Sequence, residues 1–249
     1  MRRLTRGTLA ATFLRSFFIQ GVWNYHTMLG AGFAFSLLPG LRRVYSDDPE
    51  GLEASVQRHL EHFNSHPYLS GVALGAVLRL EDEGVDEETV RRFKIAVRGP
   101  LGSLGDRLVW ATWLPLVVVA SLVLYWLGAG WVWVTVFFLA VYNVGHLGLR
   151  AWGLRAGLAA GRDVAGRLAA AGIGDRAVRL EPVGAVFVGL LAAVLLGGPL
   201  GSADGGAVWM GLGAAAFVGG LVGGHRVWRP AAAGTVVVVV LISLLGVLR

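Results

Sequence analysis

Long apolar segments occupy the second half of the chain. Residues 108–149 are almost free of charged side chains, and this run is twice as long as the roughly 20 residues that one transmembrane helix needs. Gly128 and Gly130 lie at its middle, so residues 107–150 are predicted to form a hairpin of two membrane spans. Three shorter apolar runs follow, at residues 182–200, 207–224 and 231–248. The pattern therefore predicts about five transmembrane helices after residue 106.

A basic linker separates the hairpin from the final apolar runs. Residues 151–181 carry arginines among alanines and glycines, at Arg155, Arg162, Arg167, Arg176 and Arg179. Because arginines concentrate in the cytoplasmic loops of membrane proteins, we expect this linker to be cytoplasmic, and we expect it to be helical. The basic N-terminus shows no small-residue cleavage site before Gln20, so we expect it to be retained and cytoplasmic as well. Residues 182–249 then hold the C-terminal transmembrane helices.

The first 106 residues are also apolar, but polar side chains interrupt them. Residues 9–38 have the hydropathy of a membrane segment. Four polar side chains lie within this segment: Arg15, Gln20, Asn24 and His26. Such groups are costly in hydrocarbon, so we expect them to face protein or a water-filled cavity. Broken or re-entrant helices are the usual form of such segments in transporters, and residues 1–106 are predicted to form a core of this kind.

Further patterns mark the rest of this N-terminal core. Residues 52–63 are predicted to form an amphipathic helix, and residues 68–80 an apolar helix. Residues 81–88 are strongly acidic and are predicted to be an exposed connection. Their last three acids are typical of the first turn of a further helix. Residues 99–106 (GPLGSLGD) contain glycines and a proline, which predicts a turn.

Composition places the chain in a bilayer. Hydrophobic residues make up 55% of the sequence and charged residues only 15%, whereas soluble domains carry about a quarter charged residues. The net charge of +6 does not indicate nucleic-acid binding, because the basic residues lie between apolar segments and not among exposed aromatic side chains. The absence of cysteine excludes disulfides, thiolate metal sites and a cysteine nucleophile. The chain is thus predicted to be an all-helical integral membrane protein.

Three histidines raise the question of a metal site. His59, His62 and His66 form the pattern His-x-x-His-x-x-x-His, with Glu61 between the first two. Since neutral imidazole binds iron and zinc, a membrane metalloenzyme is kept as an alternative function. Against it, Pro67 predicts that the helix ends before or at His66, and no second cluster supplies further ligands. We therefore expect neither a bound metal nor another cofactor.

Three phrases in the N-terminal core follow one another in a fixed order. They are residues 15–25 (RSFFIQGVWNY), 58–68 (RHLEHFNSHPY) and 99–106 (GPLGSLGD). In this order they resemble the membrane component IID of the mannose/fructose/sorbose-type sugar phosphotransferase system. The resemblance implies a bacterial inner-membrane subunit that pairs with a second membrane subunit, IIC, to bind and translocate a hexose. It also implies that phosphoryl transfer occurs on IIA and IIB proteins, that this chain alone is no enzyme, and that IIC–IID pairs form a higher oligomer.

The first phrase supplies the predicted substrate-binding residues. A sugar site needs a flat apolar surface for the C–H face of the ring and hydrogen-bonding groups for its hydroxyls. Trp23 and Asn24, together with the nearby Gln20 and His26, offer both, and the resemblance places this segment in the transport core. The alternative is structural: Trp23 would anchor the chain at the membrane interface, and Asn24 would cap a helix break.

The other two phrases supply the predicted gating and structural residues. Gly102, Gly105 and Asp106 are predicted to form a hinge or gate between the N-terminal core and the hairpin. Asn64 and His66, like His59 and Glu61 of the same segment, are predicted to hold the fold or to line the transport domain. All of these residues are therefore predicted to serve movement or structure and not chemistry.

Three positions depart from the pattern of the family that the chain resembles. His26 stands where the family commonly has glutamate, Arg107 where it commonly has proline, and Leu114 where it commonly has arginine. Each change alters the polarity near the predicted pathway, so the identity of the sugar stays open. A relative that senses or regulates without transporting is kept as a second alternative.

Overall fold

The computed structural model describes residues 4–197 of the chain. Apart from two isolated backbone bridges, all regular elements within these residues are helices, which confirms the predicted all-helical class. The helices predicted at residues 207–224 and 231–248 lie outside the described residues, so the predicted count of about five membrane spans stays a prediction.

The helices follow one another along the chain with short connections. In the described residues the α-helices are α1 Arg6–Arg15, α2 Gly30–Val44, α3 Pro49–Leu60, α4 Ser70–Asp82, α5 Glu87–Gly105, α6 Leu114–Trp126, α7 Trp131–Ala160, α8 Val164–Ala171 and α9 Ile173–Gly197. Short 3-10 turns at Ser16–Phe18 and Gly161–Asp163 follow α1 and α7. A π-helical segment, Asp106–Trp113, joins α5 to α6.

Acidic caps fix the starts of α3 and α5. The Asp48 carboxylate accepts a hydrogen bond from the Gly51 N–H (2.9 Å), and the Asp86 carboxylate accepts one from the Thr89 N–H (2.9 Å). These bonds satisfy backbone donors that a helix leaves unpaired in its first turn. Negative charge there also complements the helix dipole. The acidic helix start predicted at residues 86–88 is therefore confirmed.

The chain divides into two compact units. The first comprises Met1–Val109 and Asn143–Gly174, and the second comprises Trp110–Tyr142 and Asp175–Arg249. These compact units are divided at other residues than the predicted functional regions, which stay a prediction. Residues 143–174, which the sequence analysis divided between the hairpin and a cytoplasmic linker, belong to the same unit as the N-terminal core.

Close packing of α4 against α7 forms the centre of the first unit. The contact uses two glycine pairs of equal spacing, Gly71 and Gly75 on α4 and Gly153 and Gly157 on α7. A Cβ added at Gly75 would overlap the carbonyl oxygen of Leu154, and one added at Gly157 would overlap that of Val72. Small residues at this spacing let two helix backbones touch, which is the usual way in which membrane helices associate.

Several predicted boundaries need correction. The amphipathic helix α3 ends at Leu60 and not at Phe63, because the chain turns to an extended backbone at Glu61. The acidic connection is not exposed throughout, since Glu81 lies in the last turn of α4 and is only 2% exposed. The predicted turn at residues 99–106 is also wrong, because this segment continues α5 through Pro100. Its last glycine, Gly105, packs against His66 and does not bend the chain.

The second unit contains α6 and the first part of α7. The turn between them includes Gly128, whose φ of +95° is easily reached only by glycine. Helix α6 therefore ends where the sequence predicted the hairpin turn. Among the described residues, two helical stretches are long and apolar enough to cross a membrane, judged by length and composition: Glu87–Trp126 and Trp131–Ala192.

Candidate functional site

The residues between α1 and α2 form a loop that is folded around Asn24. The side-chain oxygen of Asn24 accepts hydrogen bonds from the backbone N–H groups of His26 (3.0 Å) and Thr27 (2.9 Å). Its side-chain nitrogen donates to the Thr27 hydroxyl (2.9 Å), and its backbone carbonyl accepts from the Met28 N–H (2.8 Å). Asparagine stabilises turns by such local bonds. We name residues 19–29 the Asn24 loop.

The four predicted substrate-binding residues all lie on the Asn24 loop. Gln20 and His26 are exposed, and Asn24 is partly exposed. The Trp23 side chain is 44% exposed, and its ring meets that of Tyr25 edge-on, with ring centroids 4.7 Å apart. The loop thus presents an accessible aromatic surface beside polar groups. Much of the hydrogen-bonding capacity of the Asn24 amide is used within the loop, and its predicted role toward a sugar stays a prediction.

Backbone bonds attach the end of the Asn24 loop to the residues after α3. The Leu29 N–H donates to the Phe63 carbonyl (2.8 Å), and the Phe63 N–H donates to the Thr27 carbonyl (3.2 Å). Between these bonds Met28 has a φ of +52°, which is unfavourable for a residue other than glycine. A Cβ added at Gly30 would collide with the carbonyl oxygen of Leu60, so α2 begins in close contact with the end of α3.

A buried carboxylate, Glu81, lies at the far end of α4 and holds the ends of three helices together. Its oxygens accept hydrogen bonds from Arg58 Nη2 (2.8 and 3.0 Å) and from the Tyr45 hydroxyl (2.6 Å). The His59 ring contacts the same carboxylate through Nε2 (2.8 Å). Tyr45 follows α2, Arg58 and His59 lie in the last turn of α3, and Glu81 lies in α4. We name these four residues the Glu81 cluster.

The protonation states of the Glu81 cluster follow from burial and from its hydrogen bonds. Burial lowers the pKa of His59 to about 4, so this ring is neutral at pH 7, and its Nε2 carries the proton because a carboxylate can only accept. Burial alone would raise the pKa of Glu81, but its three hydrogen-bond donors outweigh that effect and lower the pKa to about 2. Burial and the adjacent carboxylate raise the pKa of Tyr45 to about 12. Glu81 and Arg58 therefore form a buried ion pair.

Lys94 of α5 extends this arrangement from another side. Its ammonium group is buried and donates a hydrogen bond to the carbonyl oxygen of Arg58 (2.6 Å). It also lies 5.9 Å from the ring centroid of Phe33, which in turn packs on Phe63 with centroids 4.2 Å apart. The last turn of α3 is thus held through both its side chains and its backbone.

The three histidines of the second phrase point to different partners. His59 contacts Glu81, whereas His62 is exposed and lies 2.9 Å from Arg98. His66 is buried, and its Nδ1 accepts a hydrogen bond from the Tyr68 N–H (3.2 Å). In the described part of the chain, no group of three or more histidine, aspartate or glutamate side chains is placed to hold a metal ion. The metalloenzyme alternative is therefore not supported.

A second buried polar group surrounds Arg150 of α7. Its guanidinium donates to the Ser16 carbonyl at the end of α1 (2.6 Å) and to His146 Nε2 (2.7 Å). It also lies over the rings of Phe17 and Tyr68, at 5.0 and 5.2 Å from their centroids. The sequence analysis treated Arg150 only as a flank of the hairpin. In the structure it ties α1, α7 and the second phrase together.

The predicted gating residues lie around the end of α5. A Cβ added at Gly105 would overlap the His66 side chain, so these two predicted residues are in close contact. A Cβ added at Gly102 would lie 3.9 Å from the Ser65 Cα, which is an ordinary van der Waals distance. Asn64 and Asp106 are exposed, and Asp106 opens the π-helical segment. The structure thus brings the second and third phrases together, while their part in gating stays a prediction.

Comparison with known sequences identifies the family of the chain. The model of the PTS system mannose/fructose/sorbose family IID component matches residues 3–197. This chain belongs to that family. Membership in this family of membrane components agrees with the two apolar helical stretches of this IID chain.

Curated relatives carry the same family description. This IID chain is 32% identical over 168 residues to the mannose-specific EIID component of Escherichia coli K12, an alignment that covers 66% of this chain and 59% of the relative. It is 31% identical over 179 residues to the sorbose-specific EIID component of Lacticaseibacillus casei, covering 67% and 61%. The fructose permease IID component of Bacillus subtilis 168 is 31% identical over 196 residues, covering 76% and 68%. The match thus spans about three fifths of the length of the first two relatives.

Solved structures share the fold. A chain in the cryo-EM structure of the mannose transporter ManYZ with microcin E492 superposes with a TM-score of 0.61 at 27% identity, covering 78% of this IID chain and 72% of that chain. A second structure, described as a membrane protein, gives a TM-score of 0.67 at 28% identity, covering 81% and 73%. The fold of this chain is therefore the fold of a transporter subunit.

Sequence reasoning missed the Glu81 cluster. Glu81 begins an acidic run, and a run of acids is normally solvated, so nothing in its immediate surroundings suggested burial. One signal was available: Glu81 ends a helix that is otherwise apolar, and Arg58 and His59 are adjacent polar residues at the end of another. Buried charges require partners, so such residues are candidates to meet each other.

Proposed function

We propose that this chain is the IID subunit of a phosphotransferase-system permease that forms, with a IIC subunit, the binding and translocation pathway of a hexose. The sugar enters from outside, is held by the paired membrane subunits, and is phosphorylated by IIA and IIB proteins as it reaches the cytoplasm. The observation that carries this proposal is the match to IID components over residues 3–197, together with the structural similarity to a chain of a mannose transporter.

The Asn24 loop is the proposed sugar-binding element. Trp23 offers an exposed aromatic face, and sugars commonly place their C–H face on such rings. Gln20 and His26 are exposed beside it and have donors and acceptors for hydroxyl groups. Asn24 contributes chiefly by shaping the loop. His26, where relatives have glutamate, is the residue that we expect to influence which hexose is preferred.

The end of α5 is the proposed hinge. The π-helical segment that follows Gly105 lacks the regular hydrogen-bond pattern of an α-helix, and π-helical turns are frequent at functional sites. Gly102, Gly105 and Asp106 would provide the movable part, and Asn64 and His66 the fixed part against which it moves. Exchange of Gly105 for a larger residue would force this contact with His66 apart.

The proposed setting is the bacterial inner membrane with the N-terminus in the cytoplasm. The basic residues of the first six positions and of residues 151–181 support this orientation, because positive charge favours the cytoplasmic side. The IIC–IID pair is proposed to assemble into a higher oligomer.

A pull-down tests the assembly. The tagged full-length chain is purified from its own membranes in mild detergent, and all co-purifying proteins are identified by mass. Recovery of a second multi-spanning membrane protein in equal amount is the expected result. Recovery of the chain alone, together with hexose uptake that survives deletion of its gene, would contradict the proposal and favour a regulatory relative.

Sugar uptake tests the loop. Trp23→Ala should weaken hexose binding by about tenfold or more, because it removes the aromatic face on which the sugar stacks. Burial of apolar surface on that face contributes roughly 1–3 kcal/mol to the binding free energy. Trp131→Ala is the matched control, since Trp131 is 74% exposed on α7 and lies outside the loop. Equal losses in both variants would show that the effect is general to exposed tryptophans.

A further inference from the structure

We propose that the Glu81 cluster positions the Asn24 loop, and that Glu81 acts on it through the end of α3. The Glu81 carboxylate is buried and both of its oxygens are engaged by the side chains of the cluster, so we assign it as a positioning residue and not as a sugar ligand. The consequence for sugar binding rests on the proposed function. The mechanical link between cluster and loop does not depend on it.

The first step of the link fixes the last turn of α3. Arg58 and His59 are adjacent there, are 5% and 0% exposed, and both contact Glu81. Two neighbouring side chains on one carboxylate restrict both the rotation and the position of that turn. Lys94 adds a hydrogen bond to the Arg58 carbonyl, so the backbone of this turn is held as well.

The second step leads from α3 to the loop. Phe63 follows His59 by four residues, is fully buried, and exchanges backbone hydrogen bonds with both Thr27 and Leu29. The carbonyl oxygens of Leu60 and Glu61 lie against Gly30 with no room for a Cβ. A displacement of the α3 end must therefore move the loop.

The third step is the unfavourable backbone of Met28. A residue other than glycine with φ near +52° persists only where its surroundings enforce that conformation. Here Asn24 holds Met28 on one side and the Phe63 segment holds the other side. Release of the α3 end allows Met28 to relax, and the Trp23 side chain then loses its fixed position.

Hydrogen exchange of the full-length chain in detergent distinguishes positioning from general stability. Glu81→Gln keeps the size of the side chain but removes the charge that binds Arg58. We expect the backbone amides of Met28, Leu29 and Phe63 to exchange about tenfold faster, because their hydrogen bonds open locally. Tyr45→Phe removes only one hydrogen bond of the cluster and should raise the exchange rates of the same amides by a smaller factor. This second variant keeps the test valid if Glu81→Gln fails to fold.

The matched control is Leu158→Ala. Leu158 is 6% exposed and lies against Gly75 in the α4–α7 contact, whereas Glu81 faces α2 and α3. Its truncation lowers the thermal stability of the same unit by leaving a cavity, but we expect the three loop amides to stay within about twofold of the parent rate. Equal acceleration in the control and in the cluster variants would overturn the proposal, as would unchanged loop exchange in both cluster variants.

Hexose binding to the intact IIC–IID complex, measured with mannose, tests the consequence for the site. Glu81→Gln should weaken mannose binding about tenfold in the parent but less than about twofold in a Trp23→Ala background, because two residues on one pathway are not additive. Full additivity would show that Glu81 does not act through the loop. If the parent complex fails to bind any hexose while the exchange pattern is as expected, the proposed function falls and the positioning role stands.

Discussion

Helix α4 and the first part of α7 are both rich in apolar residues, but they have opposite surroundings. The apolar side chains of α4 from Val72 to Leu80 are fully buried, whereas Trp131 and Trp133 of α7 are 74% and 73% exposed. What separates the two is the pattern of the remaining residues. Helix α4 has paired glycines that admit a neighbouring backbone and an acid that is matched by buried donors. The comparison teaches that apolar content alone indicates either insertion into the membrane or burial inside the protein. Paired glycines and matched charges are the features that distinguish a helix buried inside the protein.

The largest difference between these regions should come from the buried acid. Glu81→Gln removes the buried counter-charge of Arg58 and leaves it only the longer contact to the half-exposed Glu87 (3.6 Å), which we expect to lower the free energy of unfolding by about 3–5 kcal/mol. Glu88→Gln is the matched control, because Glu88 pairs with Arg92 at the protein surface, and we expect no measurable change. Denaturation of both variants in detergent checks this. Equal losses would mean that burial does not set the strength of these ion pairs.

The same acid should give the first unit a characteristic pH dependence. The pKa values of His59 and Glu81 in the folded chain, about 4 and about 2, lie below their ordinary values of 6.5 and 4.5. The unfolded chain therefore takes up protons first, and stability falls as the pH decreases. The contribution of His59 is lost between pH 6.5 and 4, and that of Glu81 between pH 4.5 and 2.

Unfolding measured across this pH range provides the check. Because Glu81→Gln cannot lose a charge at this position, the stability difference between parent and variant should shrink as the pH falls below 4.5. A difference that stays constant down to pH 2 would contradict the assigned protonation of Glu81.

The glycine contact should tolerate no added volume. Gly157→Leu forces α7 away from α4, since even a Cβ at this position overlaps the Val72 carbonyl, and we expect a loss of about 3 kcal/mol or non-folding. Gly148→Leu on the same helix is the control, because nothing lies within 4 Å of a Cβ at this position. Thermal unfolding compares the two. Similar stabilities would show that the helices adjust without cost.

The smallest effects should come from shortening a single valine on each of the two helices. Val77→Ala removes buried apolar groups from α4 and should cost roughly 2 kcal/mol, from the transfer energy of two methylenes and a small cavity. Val136→Ala on α7, where the side chain is 51% exposed, should change stability by less than about 0.5 kcal/mol. Denaturation midpoints at equal slope decide the comparison, and a costly Val136→Ala would reveal a tightly packed neighbour on that face.

The sequence predicted the helices better than the contacts between them. The break between α1 and α2, the acidic start of α5 and the turn at Gly128 all follow from local rules, and the structure contains each of them. The segment at residues 99–106 failed because glycine and proline are ambiguous inside a membrane protein. There they serve close helix contact as often as a turn, and Gly105 does so against His66.

The candidate site was predictable only in its exposed part. Trp23, Asn24, Gln20 and His26 stand close together in the sequence, so their grouping on one loop needed no tertiary information. In the Glu81 cluster the three partners of Glu81 are 22 or more positions away from it, and only the packing of α2, α3 and α4 brings them together. The glycine spacing of α4 and α7 was visible in the sequence, but spacing alone does not identify the partner helix.

The Arg150 contact has a consequence for how the chain is made. Arg150 binds the carbonyl of Ser16, a residue 134 positions earlier, and Leu154 closes against Gly75. On the ribosome, α1 and α4 emerge long before their partner helix is translated. The first unit therefore stays incomplete until α7 is made, and we expect the predicted membrane hairpin between its halves to insert into the bilayer before that. A failed insertion would then leave α4 uncovered for recognition by proteases.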